Sequence, residues 1–464
     1  MELRSVASTM SLGSLAVQRT HLWSLIYRAV PKLLGFTPRS LEKFCKSVHP
    51  PLRTQTTEAT LPELSQDVLM GIFAALEIPD FVRAGAVCSS WRSAYTCLQS
   101  LGQYKLSQTP CLLYTSESAG DSVACLYSLA EKRSYKLTLP APPIRTRGFI
   151  GSSHGWLVTV DERSEMHLVN PITCEQIALP SVITLEPVKP IFDEYGVLHK
   201  YEFSRHTGMR GCNKPSIFAL DKLRERLHYK AFLFPDTSTG SYIVVLIHNS
   251  MRQLSFARVG DDKWTWLPPH EDYSDCIYKD GLLYAVSEMG ELHAFDLSGP
   301  VVEMKTIIRI PKEYEYEYPY IVQAPWGGLL LIRRIFEDYD MEPAPGASVF
   351  WNTTEFRIYE FEAGGSEFKE INCLHDHILF LGHNQSLCLS AEEYPSLRAN
   401  HAYFTDDNVL WTLGDMNNPR DMGTLNLDDN SKEELVSPQL WLNWPAPMWI
   451  TPDLRKLNVA LRED

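Results

Sequence analysis

Residues 280–297 read DGLLYAVSEMGELHAFDL, and their pattern decides the fold. Asp280-Gly281 is a turn dipeptide. Leu282 to Val286 is an apolar run of strand length, rich in residues that suit a pleated surface. A polar gap follows, then a second short strand over Leu292–Phe295. Asp296-Leu297 reads as a turn into a third strand.

Three other stretches repeat the arrangement. They are His154-Gly155-Trp156-Leu157, Trp326-Gly327-Gly328-Leu329 and His375-Asp376-His377-Ile378, each a turn leading into an apolar strand. Second strands follow at Met166–Val169, Phe356–Tyr359 and Ser386–Leu389. The step from position 280 to 326 is 46 residues and from 326 to 376 is 50. That period fits one four-stranded propeller blade. Strand-and-turn texture runs from about 104 to 450, some 345 residues. At about 45–50 residues per blade this predicts a β-propeller of about seven blades, with six also compatible. A pair of β-sandwiches is the alternative, and the repeat argues against it.

Upstream the texture is helical. Residues 64–95, LSQDVLMGIFAALEIPDFVRAGAVCSSWRSAY, hold three short amphipathic segments. Val68, Leu69, Ile72, Phe73 and Leu76 form one helical face. Ser65 is positioned to cap it. The helix is expected to stop before Ile78-Pro79, because a residue preceding proline leaves the helical region. Asp80 is the expected cap of a second helix with Phe81, Ala84 and Val87 on one stripe. Ser89 or Ser90 starts a third with Trp91, Tyr95 and Leu98. So short a unit cannot bury enough surface to be stable unaided, so its apolar faces must pack on the rest of the chain or on a partner.

This segment resembles an F-box. The family's Leu-Pro, Leu-Leu, Ile-Phe, Leu, Pro-Asp-Leu, Val-Cys and Trp-Arg positions fall on Leu64-Ser65, Val68-Leu69, Ile72-Phe73, Leu76, Pro79-Asp80-Phe81, Val87-Cys88 and Trp91-Arg92. Serine at 65 is a departure, since the family has proline there. The resemblance implies docking on the Skp1-type adaptor of a cullin-RING ubiquitin ligase, a helix-in-groove contact. Leu64, Leu69, Ile72, Leu76, Val87, Cys88 and Trp91 are the expected adaptor-binding residues. Phe73 and Tyr95 are expected in the core. Residues 382–408, GHNQSLCLSAEEYPSLRANHAYFTDDN, resemble the signature of a plant family with a KIB-type β-propeller, first catalogued as domain of unknown function 295. The matching positions include Gly382, Asn384, Ser386, Pro395, Asn400, Tyr403-Phe404 and Asp406-Asp407. Trp444-Pro445 and Trp449-Ile450-Thr451-Pro452 also match.

The expected class is therefore mainly β, with a C-terminal propeller of six or seven blades behind a small all-α F-box domain of three helices. The expected divisions are a basic N-terminal extension and Pro/Thr linker at 1–60, the F-box at 61–103, the propeller at 104–452 and a tail at 453–464. The resemblance implies a non-catalytic substrate receptor of an SCF-type ligase. The F-box would hold the adaptor and, through it, a cullin, while the propeller recruits a protein target. An F-box scaffold or inhibitor without a ligase role is the second reading. A propeller enzyme with a site in the central channel is the third, and it would need acids or histidines converging on inner strands.

Composition narrows the partners. The chain has 464 residues, 44% apolar and 22% charged, with net charge −14. That balance argues against nucleic-acid binding, which needs clustered Lys/Arg. No apolar run is long enough to span a membrane, and Leu22–Phe36 is interrupted by Arg28 and Lys32. The first 57 residues hold eight Lys/Arg against Glu2 and Glu42. This resembles an organellar transit peptide. A basic extension leading into the F-box is the preferred alternative, giving a nuclear or cytoplasmic expectation. Ten cysteines show no Cys-x-x-Cys and no zinc-type spacing, so they read as reduced thiols.

Few constellations suggest chemistry. His375-Asp376-His377 with His383 could bind a transition metal, but the run falls at a repeat turn. Glu313 to Tyr318 alternates acid and tyrosine, expected as an exposed or edge strand with a solvated acidic face. Trp264, Trp266, Trp441 and Trp444 are expected to pack blades. No Walker A, Gly-x-Ser-x-Gly or His-Glu-x-x-His motif is present, so no cofactor is expected.

Overall fold

The computed structural model describes residues 64–204, 214–236, 240–249, 251–299, 301–309, 317–337, 352–361, 368–407, 419–455 and 457. The transit-peptide reading and the Glu313–Tyr316 part of the alternating run lie outside them. The chain forms two compact units. One ends at Gln108 and takes in Pro452–Leu454; the other runs Thr109–Thr451 and takes in the residues from Arg455 onward.

Among the described residues the first unit has three helices: α1 (Gln66–Phe73), α2 (Ile78–Ala84) and α3 (Ser89–Leu101). Leu69, Ile72 and Phe73 are buried as the periodicity predicts, while Val68 is exposed. The caps differ from expectation. Ser65 precedes α1, but its hydroxyl makes no capping bond. α1 ends at Phe73, before Ile78-Pro79 as expected, but Pro79 itself sits in the first turn of α2, where its missing N–H costs nothing. Asp80 therefore lies inside α2, buried beside Arg83 at 3.2 Å. The leading amide of α2, on Ile78, donates to Oε1 of Gln108 at 2.6 Å. A residue thirty positions downstream thus satisfies the helix end. Gly102, in the left-handed region at φ 64, ends α3, with the Gln103 amide on the Leu98 carbonyl.

The second unit is the propeller. Among the described residues it has six radial sheets. Blade one pairs Cys111–Tyr114, Val123–Ser128 and Arg133–Thr138, and Met448–Ile450 pairs back on Cys111–Tyr114 to close the ring. Blade two is Gly148–Ser153, Trp156–Val160, Met166–Val169 and Gln176–Ala178. Blade three begins with His228–Asp236, blade four with Tyr273–Lys279 and blade five with Glu317–Gln323. Each of blades two to five is a four-stranded antiparallel meander.

The seventh sheet is not a blade. Val188–Phe192, Leu198–Phe203 and Ser216–Ala219 form a three-stranded insertion after blade two. The inner strands of blades two and three meet directly, without it. Oγ of Ser153 accepts the Leu233 amide at 3.2 Å. Gly151 lies so close to blade three that a Cβ there would sit 1.8 Å from the Ala231 carbonyl oxygen. Dividing total length by the period thus counted the insertion as a blade.

Blade six also departs from the repeat. Its order places Leu387–Ser390 outside His377–Leu381 on the inner side, followed by His401–Phe404, Gly423–Asn426 and Lys432–Glu433. His377–Leu381 and His401–Phe404 run parallel. The second strand of the sequence repeat is therefore innermost here instead of third.

Candidate functional site

On the helical unit, Leu64, Leu69, Ile72, Phe73, Leu76, Ala84 and Trp91 line one shallow cleft. Every side chain is apolar. Its floor is fixed by aromatic packing: Phe73 meets Trp91 at 5.1 Å and Phe81 at 6.3 Å, edge to face. Phe81 in turn packs on Tyr95 at 4.7 Å and Tyr104 at 5.8 Å. Gly85 permits the closeness of α2 and α3, since a Cβ there would lie 2.6 Å from the Tyr95 ring.

Five of the seven expected adaptor-binding residues meet at this cleft: Leu64, Leu69, Ile72, Leu76 and Trp91. Leu69, Ile72 and Leu76 are buried and form the floor, whereas Leu64 and Trp91 are half-buried and form its accessible rim. Val87 and Cys88 are exposed and do not line it. Phe73 and Tyr95 are core residues, as their spacing predicts. Ala84 was a missed lining residue; only the docking of α2 brings it there.

In the propeller, charged side chains converge on the inner strands, which the sequence does not reveal. Lys230 and Asp275 form an ion pair at 2.9 Å, each about 1% exposed. The other oxygen of Asp275 accepts the Ile321 amide at 3.0 Å and the Ser386 hydroxyl at 2.9 Å. One carboxylate on blade four is thus bonded by blades three, five and six. Burial pushes its pKa up, and Lys230 and the hydrogen bonds pull it back.

A second buried group centres on Arg334 of blade five. Its guanidinium donates to Asp407 and Asp421 of blade six, each at 3.0 Å, and to the Thr405 carbonyl at 2.9 Å. The Tyr320 hydroxyl also donates to Asp407 at 2.7 Å. This explains the signature over 382–408. Ser386 and Asp407 tie neighbouring blades together. Asn400 takes a positive φ of 54 and accepts the Leu374 amide at 2.8 Å. Gly382, at φ 145, admits the Thr405 side chain where a Cβ would lie 2.1 Å from its hydroxyl.

These groups bond one another, an arrangement suited to holding blades. His383 is buried, and burial pushes its pKa down to about 4, so it is neutral near pH 7. His375 sits in the predicted turn at φ 47, while Nδ1 of His377 faces the Leu374 carbonyl. Among the described residues no three His, Cys, Asp or Glu side chains are grouped to hold a metal. Glu317 corrects the expected solvated acidic face: it is buried and paired with Arg333 at 3.1 Å. Tyr318 is also inward, donating to the Ser274 carbonyl at 2.7 Å. Trp264 packs as expected, its indole N–H on the Pro180 carbonyl at 2.9 Å. Among the described residues no helix is long and apolar enough to cross a membrane.

Comparison with known proteins agrees with this layout. A family model described as the KIB1-4 beta-propeller matches residues 126–426, from the second strand of blade one into blade six. The chain is 22% identical over 403 residues to a putative F-box protein of Arabidopsis thaliana, covering 84% of this chain and 96% of that one. It is 26% identical over 422 residues to the F-box protein SKIP23 of the same plant, covering 86% and 96%. It is 28% identical over 284 residues to F-box only protein 7 of that plant, covering 59% and 66%.

Proposed function

The chain belongs to the KIB1-4 beta-propeller family, and from that premise we propose that it is the substrate-receptor subunit of an SCF-type ubiquitin ligase. The helical unit docks on a Skp1-type adaptor and through it joins a cullin. The propeller recruits a protein target. The chain itself makes no bond; it raises the effective concentration of a target lysine near the charged E2 enzyme. We place this activity in the nucleus or cytoplasm.

The observation that carries the reading is the all-apolar cleft on a unit of the F-box pattern. Its floor is part of the unit's own core. Leu64 and Trp91 offer the rim to a partner, and an aromatic anchor of this kind dominates interface energetics.

The test is co-purification of the full chain with a Skp1-type adaptor, against a Leu64→Asp/Trp91→Ala variant. These rim positions are chosen because substituting the buried Leu69 would unfold the unit. The expected result is tight binding by the wild type and a loss of at least about 30-fold in the variant, the scale of one hot spot. No binding by the folded wild type would overturn the proposal.

A further inference from the structure

Among the described residues, the three-stranded insertion exposes several large apolar side chains together. Phe192, Tyr195, Val197 and Ile217 are all exposed on it, Tyr195 at 83% and Ile217 at 62%. The tip that carries Tyr195 is held in place. Oδ1 of Asp193 accepts the Tyr195 and Val197 amides, both at 2.9 Å. The ring is therefore presented by a fixed turn, at low entropic cost to a binder.

The two faces of the sheet differ. Val188, Tyr201 and Phe203 are buried in the core shared with blade two. The register puts Lys189 opposite Glu202 and Ile217 opposite Glu202 on the other side. Ile191, Lys200 and Ala219 form the next row. These six residues make the outer face. Lys189 lies 3.7 Å from Glu202, while Lys200 has no ion pair among the described residues. These six residues carry a net charge of +1, on a chain of net charge −14, while the exposed Asp193 and Glu194 make the neighbouring tip acidic.

The two edges differ as well. Val188–Phe192 contains Pro190, which has no amide to donate and so blunts that edge. Ser216–Ala219 has no proline, and among the described residues no strand pairs on its outer side. We propose that this insertion is the target-docking surface, and that it takes an extended segment of alternating acidic and apolar residues as a fourth strand along Ser216–Ala219. The main-chain bonds of strand addition hold the segment. Lys200 selects its charge, and Ile217 with the Tyr195 tip receives its apolar side chains. This inference rests on the reading of the chain as a substrate receptor.

The test pans a displayed library of random ten-residue peptides against the full chain. The expected enrichment is for alternating acidic and apolar sequences. The enriched peptide should slow amide hydrogen exchange at least tenfold within residues 216–219. A Lys200→Glu/Ile217→Asp variant changes only a surface face, and it should bind that peptide at least tenfold more weakly while still capturing the adaptor. The inference is overturned by enrichment of basic or proline-rich peptides, by no enrichment, by protection elsewhere, or by an unchanged affinity in the variant. Adaptor capture is scored on the same preparations. Its loss with peptide binding retained would refute the ligase reading alone, and the reverse would refute this surface alone.

Discussion

Replacing Lys230 with methionine should destabilise the propeller by about 3–5 kcal/mol at pH 7, the scale for stripping one partner from a buried ion pair. The terms can be followed in the geometry. Lys230 Nζ lies 2.9 Å from Oδ1 of Asp275, and both side chains are about 1% exposed. Loss of that charge-assisted bond is worth about 1.5–3 kcal/mol. The remainder is the desolvation of a carboxylate left with only the Ile321 amide and Ser386 hydroxyl on its other oxygen. The ammonium also lies over the Phe232 and Tyr320 rings, 5.2 and 5.1 Å from their centroids, and methionine loses these cation–π contacts as well. Asp275→Asn keeps an oxygen for the Ile321 amide but strands the Lys230 ammonium, so a similar loss is expected. The double variant removes both charges and should be less destabilised than the two singles summed, by about 2 kcal/mol or more. Burial already holds the Asp275 pKa above its usual value, so without Lys230 the group should take up a proton readily. The deficit of Lys230→Met should therefore shrink as pH falls. Urea unfolding of the full chain, followed by tryptophan fluorescence at several pH values, measures all of this. A single variant within about 1 kcal/mol of wild type, or strict additivity in the double, would refute the account of this pair as the tie between blades.

Further expectations follow from other residues. Burial depresses the His383 pKa to about 4, against 6.5 for an unperturbed histidine. The unfolded chain therefore binds the extra proton between those values, and stability is full above about pH 6.5 and falls as pH drops toward 4. The loss from this group is up to about 3 kcal/mol, and His383→Asn should flatten the pH dependence of the urea midpoint over that window. Gly151→Ala should destabilise the propeller by more than about 2 kcal/mol because the new Cβ meets the fixed Ala231 carbonyl rather than a movable side chain, read as a lowered melting temperature. Ser65 has φ −60 and no capping bond from its hydroxyl, so the backbone already has the proline conformation. Ser65→Pro should leave adaptor binding intact and stabilise the helical unit by about 0.4–1 kcal/mol through the unfolded state; a drop in helical content measured by circular dichroism would contradict this.

Much of the fold was legible in local pattern. The apolar runs after Asp280-Gly281 and His154-Gly155 needed only the alternation of a strand and the backbone freedom of a turn. Gly281 takes the positive φ of 84 that such a turn demands. The spacing of Leu69, Ile72 and Phe73 likewise revealed which face α1 buries. At the cleft, Leu69, Ile72 and Leu76 came together because a helical face is encoded within a few turns of chain, while Trp91 joins them only through the packing of α3 on α1. Val87 and Cys88 fell outside it because they sit where α2 has ended and α3 begins, so neither helical stripe carries them inward.

The sequence by itself determined the two kinds of element, the blade period and the short helical unit that resembles an F-box. Tertiary structure alone decided that Gln108 caps α2, that one sheet is an insertion between blades two and three, and that blade six reorders its strands. It also decided which polar residues matter inside the propeller. Ser386 and Asp275 are 111 positions apart, and Arg334 and Asp421 are 87 apart. Periodicity reports what a side chain needs from its immediate backbone, whether a buried or a solvated face. A buried charge needs a particular partner, and only the packing of one blade against the next brings the partner within about 3 Å.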